Sequence, residues 1–246
     1  MKPVPGPDAP HKHVDISGPS PHPSGYPRKI GLLGGSFNPA HGGHRAISLF
    51  AMKALGLDEV WWLVSPGNPL KPAKGMAPLS ARLARAQHIA RRARIRPTAI
   101  EAEMGTRYTY DTLRALLHRY PRHRFLWLMG ADNLRQFGQW KRARGIARTM
   151  PIAVIARPGY DDRVHGDPIM SWLRPFVRPA SQSKNWTEWR VPALVQLRFR
   201  PDTRSATALR SADPLWHRAY QRPALRDSVT HSLVPSKPVI PPFEKE

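Results

Sequence analysis

Five short apolar runs recur along the chain, and the stretches between them have the 3–4 residue spacing of helices. The runs are Ile30-Gly31-Leu32-Leu33, Val60–Val64, Phe125–Met129, Ile152–Ala156 and Leu194–Leu197, with a weaker one near Thr98–Ala102. Ile47, Phe50, Ala51 and Ala54 mark a helix over His44–Leu55, and Leu79, Leu83, Ala86, Ala90 and Ala93 trace one stripe of another. Further helical stretches are expected over Thr109–Tyr120, Asn133–Phe137, Trp140–Thr149, Ser205–Ala212 and Leu215–Tyr220. Runs this short, this apolar and this regularly separated predict α/β architecture with a doubly wound, mostly parallel sheet covered on both faces. Trp61, Trp62 and Trp127 lie inside such runs and are expected to pack in the core. Arg82, Arg85 and Arg92 fall beside the apolar stripe of their helix and are expected to face solvent. Ligands of doubly wound sheets bind beyond the carboxyl ends of the strands, so the loops there are where chemistry is expected.

The 246 residues suffice for one such domain. Residues 1–28 carry eight prolines and no hydrophobic period, and are read as a disordered leader. Residues 221–246 are read as a second proline-rich tail, leaving residues 29–220 as the domain. The charge belongs to that domain: the leader has three basic and two acidic side chains and the tail four and three, so 32 of the 39 Lys and Arg and 12 of the 17 Asp and Glu fall in 29–220. A surface of this sign attracts phosphate-bearing ligands. Cysteine is absent, which excludes disulfides, thiolate metal sites and a cysteine nucleophile. No segment approaches the ~20 apolar residues that span a bilayer, and Met1–Pro5 lacks the apolar core of a secretory signal. The expectation is a soluble cytoplasmic protein that does not engage membranes. The oligomeric state is left open, a homo-oligomer included.

The first apolar run leads directly into Gly34-Gly35-Ser36-Phe37-Asn38-Pro39-Ala40-His41-Gly42-Gly43-His44. Paired glycines let the backbone turn tightly and approach a ligand. A helix beginning near His44 offers free N–H groups and the positive end of its dipole to a phosphate, and two histidines three apart add directional donors. This is a polyphosphate site by composition. Neither a Walker loop nor Gly-x-Gly-x-x-Gly is present. His-x-x-His without a glutamate or cysteine partner does not make a zinc site.

Gly35-Ser36-Phe37-Asn38-Pro39-x-His41-x-Gly43-His44 resembles the signature of the nucleotidyltransferases that share a His-x-Gly-His motif. Ser205-Ala206-Thr207-Ala208-Leu209-Arg210 resembles their second signature, Ser-x-Thr-x-[Ile/Leu]-Arg, with Ala206 where many members carry another hydroxyl. The middle of the chain is similar to bacterial nicotinate-nucleotide adenylyltransferases: Tyr108-Thr109-Tyr110-Asp111-Thr112, then Gly130-Ala131-Asp132-Asn133-Leu134, then Arg157-Pro158-Gly159-Tyr160. One departure is Leu70 before Lys71, where members often carry histidine.

The resemblance covers roughly residues 28–220 and implies a Rossmann-like nucleotidyltransferase fold. It further implies transfer of AMP from ATP to nicotinate mononucleotide in NAD biosynthesis, giving nicotinate adenine dinucleotide (deamido-NAD) and pyrophosphate. His41, His44 and Arg210 are the implied catalytic residues. Gly34, Gly35, Ser36, Phe37, Gly130, Asp132, Ser205 and Thr207 would join them in holding ATP, and Lys71, Thr109, Asp111, Thr112, Trp140 and Arg157 would hold the mononucleotide. Mg²⁺ is expected on the ATP phosphates, with no metal site of the protein's own. Some of these residues have plainer readings: Asp111 as a first-turn helix acid, Trp140 as core, Arg157 as a surface arginine. The rival activities are the same fold with another acceptor, such as pantetheine phosphate, or with CTP. A basic nucleic-acid-binding protein is the rival from another class, but no specific nucleic-acid motif supports it.

Overall fold

A computed structural model of the chain describes residues 26–67, 75–156, 168–199, 206–222 and 224–234. Seven strands form one sheet: β1 (Lys29–Gly35), β2 (Glu59–Val64), β3 (Ile95–Thr98), β4 (Arg124–Gly130), β5 (Ile152–Ala156), β6 (Val177–Arg178) and β7 (Leu194–Arg198). Their order is β3-β2-β1-β4-β5-β7-β6 and every neighbouring pair is parallel. The chain runs outward from β1 through β2 to β3, then returns across the sheet to pair β4 with the other side of β1. That reversal opens a crevice beyond the carboxyl ends of β1 and β4, where ligands of this architecture bind. The expected doubly wound α/β class is what the chain adopts.

Alternate strand residues feed two separate cores. Ile30, Leu32, Trp61, Leu63, Trp127, Met129 and Val154 pack on one face, with residues of α4 (Thr109–Arg119) and α6 (Ala143–Thr149). Leu33, Val60, Trp62, Leu126, Leu128, Ile155 and Val195 pack on the other, against α1 (Gly42–Leu55) and α2 (Leu79–Ala90). Two buried faces explain why the strands read as continuous apolar runs rather than as alternating ones. The three strand tryptophans are buried, as expected.

Departures from the expected elements have local causes. The weak strand expected near Thr98–Ala102 lies earlier, at β3, and the following residues form the short helix α3 (Ile100–Glu103). Pro97 is tolerated because β3 is an edge strand, and together with Arg96 it masks the apolar signal. Instead of one helix from Asn133, α5 covers Ala131–Leu134 and a 3₁₀ turn covers Phe137–Gln139. The helix expected from Trp140 starts only at Ala143, because Arg142 turns left-handed at φ 55°. A helix α7 (Pro168–Leu173), the edge strand β6 and a long 3₁₀ segment (Ala180–Glu188) carry too little periodicity to be read from sequence.

The packed chain also continues past 220, where a tail was expected. Strands β8 (Leu225–Arg226) and β9 (Leu233–Val234) pair antiparallel, and Val229 between them is fully buried. The buried Asp227 carboxylate accepts the N–H groups of Ala99 (2.6 Å), Val229 (2.8 Å) and Thr230 (3.1 Å), which bonds this segment to the end of β3. Strands of two residues surrounded by prolines give no sequence period. Residues 1–25 and 235–246, the rest of the expected leader and tail, lie outside the described residues.

Candidate active site

β1 ends in Gly34-Gly35, and at Gly34 the geometry requires glycine. A Cβ on Gly34 would sit 2.5 Å from Cη2 of Trp127 on β4, so only glycine lets the tryptophan lie across the strand end. Gly35 accepts the Ser65 N–H with its carbonyl (3.0 Å), which holds the loop after β2 beside the loop after β1. Phe37 then takes φ 46°, and its buried ring stacks on Trp62 with centroids 5.1 Å apart.

At the start of α1, His41 is the N-cap residue. Its Nδ1 accepts the Gly43 N–H (3.1 Å), while Nδ1 of His44 accepts the His41 N–H (3.2 Å), a reciprocal capping box built from two imidazoles. An imidazole whose Nδ1 accepts carries its proton on Nε2. Both rings, with centroids 3.9 Å apart, therefore hold an Nε2–H donor. The His44 ring also lies against Phe37 (4.8 Å) and edge-on to Trp62 (6.0 Å). Burial, and secondly the neighbouring His41, push the His44 pKa down to about 3, so it is a neutral donor at physiological pH. The backbone of His44 is held from behind: Trp62 Nε1 donates to Ser48 Oγ (2.8 Å), which donates to the His44 carbonyl (2.9 Å).

Arg210 on α8 (Ala206–Ala212) reaches this loop from the far end of the chain. Its Nη1 donates to the Asn38 carbonyl (2.6 Å) and its Nη2 to Thr207 Oγ1 (3.2 Å). The two signatures, about 170 residues apart in sequence, are thus in direct contact. Asn38 links a third segment, its side chain donating to the Gly75 carbonyl (2.9 Å) and accepting the Ala77 N–H (3.3 Å).

On the other side of the crevice, Gly130 ends β4 and precedes α5. Thr109 and Asp111 stand on the first turn of α4, where no side chain caps the helix, and Asp111 is exposed. Thr112 is buried instead. Its hydroxyl bonds to Glu101 Oε1 (3.2 Å), Thr106 Oγ1 (2.9 Å) and the Tyr108 carbonyl (3.3 Å), which occupies it within the α3–α4 junction. Desolvation raises the Glu101 pKa to about 7, opposed by its Thr112 bond and by the positive charge of Arg82. Trp140 is half-buried, edge-on to Trp127 (6.3 Å) and Phe137 (5.6 Å). Lys71, Arg157 and Ser205, and the side chain of Asp132, lie outside the described residues.

Two of the three arginines expected to be solvated are not. Arg82 is 1% exposed, and Arg85 donates to Tyr220 Oη (2.6 Å); only Arg92 is exposed. Arg82, Asn38, Ser48 and Trp62 are the supporting residues that sequence reasoning passed over. For Arg82 the one available signal was an arginine set among Ala81, Leu83 and Ala84 on an apolar stretch of its helix.

A glycine turn at a strand end, two imidazole N–H donors at a helix start, the His44 one neutral, and an arginine returning from α8 make an arrangement able to hold a phosphate-like anion. Comparisons with known proteins identify the family. The cytidylyltransferase-like family model matches residues 32–212, from β1 to α8. The chain is similar to a probable nicotinate-nucleotide adenylyltransferase of Erythrobacter litoralis, 63% identical over 206 residues, covering 84% of this chain and 94% of the relative. One from Parvibaculum lavamentivorans is 50% identical over 182 residues, covering 74% and 90%. Among solved structures, Plasmodium falciparum nicotinic acid mononucleotide adenylyltransferase complexed with NaAD shares the fold, with a TM-score of 0.55 at 17% identity over 75% of this chain and 83% of that one. The chain belongs to the cytidylyltransferase-like nucleotidyltransferases and, within them, to the nicotinate-nucleotide adenylyltransferases.

Proposed function

We propose that the chain transfers the adenylyl group of ATP to nicotinate mononucleotide. A phosphate oxygen of the mononucleotide attacks the α-phosphorus of ATP, the bond from that phosphorus to the bridging oxygen breaks, and pyrophosphate leaves with the electron pair. The nucleophile is already ionised at neutral pH, so the protein need not remove a proton. Its task is to align the two phosphates and to place donors where negative charge grows, on the α-phosphate and the leaving group.

The observation that carries this reading is the His41–His44 pair. Backbone N–H groups occupy both Nδ1 atoms, which leaves two Nε2–H donors side by side at the first turn of α1. In this reading they donate to phosphate oxygens of ATP, with backbone groups of Gly34, Gly35, Ser36 and Phe37 closing around the nucleotide. Arg210 adds positive charge, and Gly130, Asp132, Ser205 and Thr207 hold the adenosine part. Lys71, Thr109, Asp111, Trp140 and Arg157 receive the mononucleotide. Thr112 contributes by fixing the Thr106–Tyr108 turn, since its hydroxyl is already bonded there.

Mg²⁺ fits this donor set as a companion of ATP. Imidazoles that present N–H rather than a lone pair do not ligate it, and no cluster of three or more His, Asp or Glu side chains occurs among the described residues. Bound to the triphosphate, it would offset phosphate charge. No helix among the described residues is long and apolar enough to cross a membrane, and a cytoplasmic location belongs to the same proposal. The test is pyrophosphate release from ATP or CTP with nicotinate mononucleotide, nicotinamide mononucleotide and pantetheine phosphate in turn. ATP with a pyridine mononucleotide is the expected productive pair. Turnover only with pantetheine phosphate, or only with CTP, overturns the reading.

A further inference from the structure

Arg82 is the most buried cation among the described residues, and its bonds gather around the crevice. Its Nε donates to the Ala77 carbonyl (2.8 Å), its Nη1 to the carbonyls of Ser36 (2.7 Å) and Ser65 (2.6 Å), and its Nη2 to that of Pro66 (3.3 Å). Four of the five guanidinium N–H groups are thereby used. The acceptors come from three separate segments: the loop after β1, the end of β2 and the approach to α2. Each is a backbone carbonyl, so the arrangement depends on chain geometry and not on neighbouring side chains.

A buried charge is costly unless it is satisfied, and an apolar residue would fill a helix position facing the core with less penalty. Arg82 is satisfied by dipoles alone. No carboxylate among the described residues lies within salt-bridge distance of it, and Glu101 acts on it only through space. A cation balanced by neutral carbonyls keeps its net charge, and in a dry surrounding the field of that charge is weakly screened. Desolvation lowers its pKa only to about 10, so it is charged at neutral pH.

We infer that Arg82 is a positioning residue for the transfer reaction: its guanidinium fixes the Ser36 end of the phosphate loop against the end of β2 and adds positive charge beneath it. Lysine does not replace it. An ammonium is a single point with three donors, and it cannot span four carbonyls from three segments as a planar fork does.

This inference rests on the proposed reading of the site, and the test separates the two. Arg82→Lys and Arg82→Met are compared with Leu83→Ala, which removes a fully buried core side chain one position away. Kinetics are measured well below each variant's Tm, and binding of a non-hydrolysable ATP analogue, which needs no acceptor, is titrated in parallel. A misplaced phosphate loop should lower kcat by about 30-fold in Arg82→Lys and weaken the analogue about tenfold, while folding is retained. Leu83→Ala should lose as much or more in Tm but keep kcat and analogue affinity within about threefold. Arg82→Lys with near wild-type kcat and affinity overturns the inference, as does a loss matched by Leu83→Ala. If neither arginine variant folds, the residue holds the fold and not the site, and the inference is equally overturned. A wild-type chain that binds the analogue but releases no pyrophosphate with nicotinate mononucleotide overturns the acceptor reading alone.

Discussion

The α1 side of the crevice and the α4–α6 face of the sheet are built by opposite means. On the α1 side, donors are fixed by the backbone: His41 and His44 cap each other's amides, Arg210 holds the Asn38 carbonyl, and Arg82 holds four more. On the α4–α6 side, cations lie over aromatic rings at the surface. Arg107 and Lys141 flank Tyr108, Arg114 and Arg142 flank Tyr110, and Arg144 and Arg148 flank Trp172, at 4.2–5.9 Å. Exposed contacts of that kind are worth ~0.5–1 kcal/mol each and yield to salt. The difference suits the two jobs that the proposed reaction sets. A transition state at phosphorus demands donors held in place before the substrate arrives, whereas collecting an anionic acceptor needs attraction more than exact geometry.

If that contrast is right, damage to the two sides should have different kinetic signatures. His44→Ala, or His41→Ala, is expected to lower kcat by ~10²-fold or more, because a preformed donor to developing charge is lost; steady-state kinetics together with circular dichroism check this. Trp140→Leu is expected to raise KM for the mononucleotide by roughly tenfold with kcat within about threefold, the pattern of lost substrate binding. A kcat loss as large as that of His44→Ala would erase the contrast. The smallest effect concerns the α3–α4 junction. Folding raises the Glu101 pKa from 4.5 to about 7, so its protonated form stabilises the fold below pH 4.5, and that contribution is lost as pH rises through 7. Glu101→Gln should therefore gain in Tm over the wild type by a few degrees at pH 8 and by less at pH 5, as measured by thermal melts. A gain that shrinks with rising pH contradicts the assignment.

How far the sequence was legible follows the same division. The apolar runs gave away the sheet because both of its faces are buried, and the glycine–histidine loop gave away the turn after β1 and the start of α1 because its signature is local. Arg210 was found through a motif, and its contact with Asn38 follows from the parallel winding. Arg82 was misread because an arginine satisfied by carbonyls of distant segments leaves no periodic mark, and helix position alone placed it beside the stripe. The bond of the Thr112 hydroxyl to Glu101 was not legible because Glu101 belongs to a helix that sequence assigned to a strand. The segment around Val229 was missed because its order comes from Asp227 gathering three backbone N–H groups, and not from any strand of ordinary length.

The central claim is that this site presents prebuilt Nε2–H donors to phosphate, with His44 held neutral. Nitrogen-15 spectra of the histidine side chains, recorded from pH 5 to 8 on the ligand-free protein, test it directly. His44 is predicted to remain neutral throughout, with its proton on Nε2, and to begin titrating only toward pH 3; the stability that its depressed pKa lends above pH 6.5 is lost as pH falls from 6.5 to about 3. A His44 that titrates near 6.5, or that carries its neutral proton on Nδ1, contradicts the account.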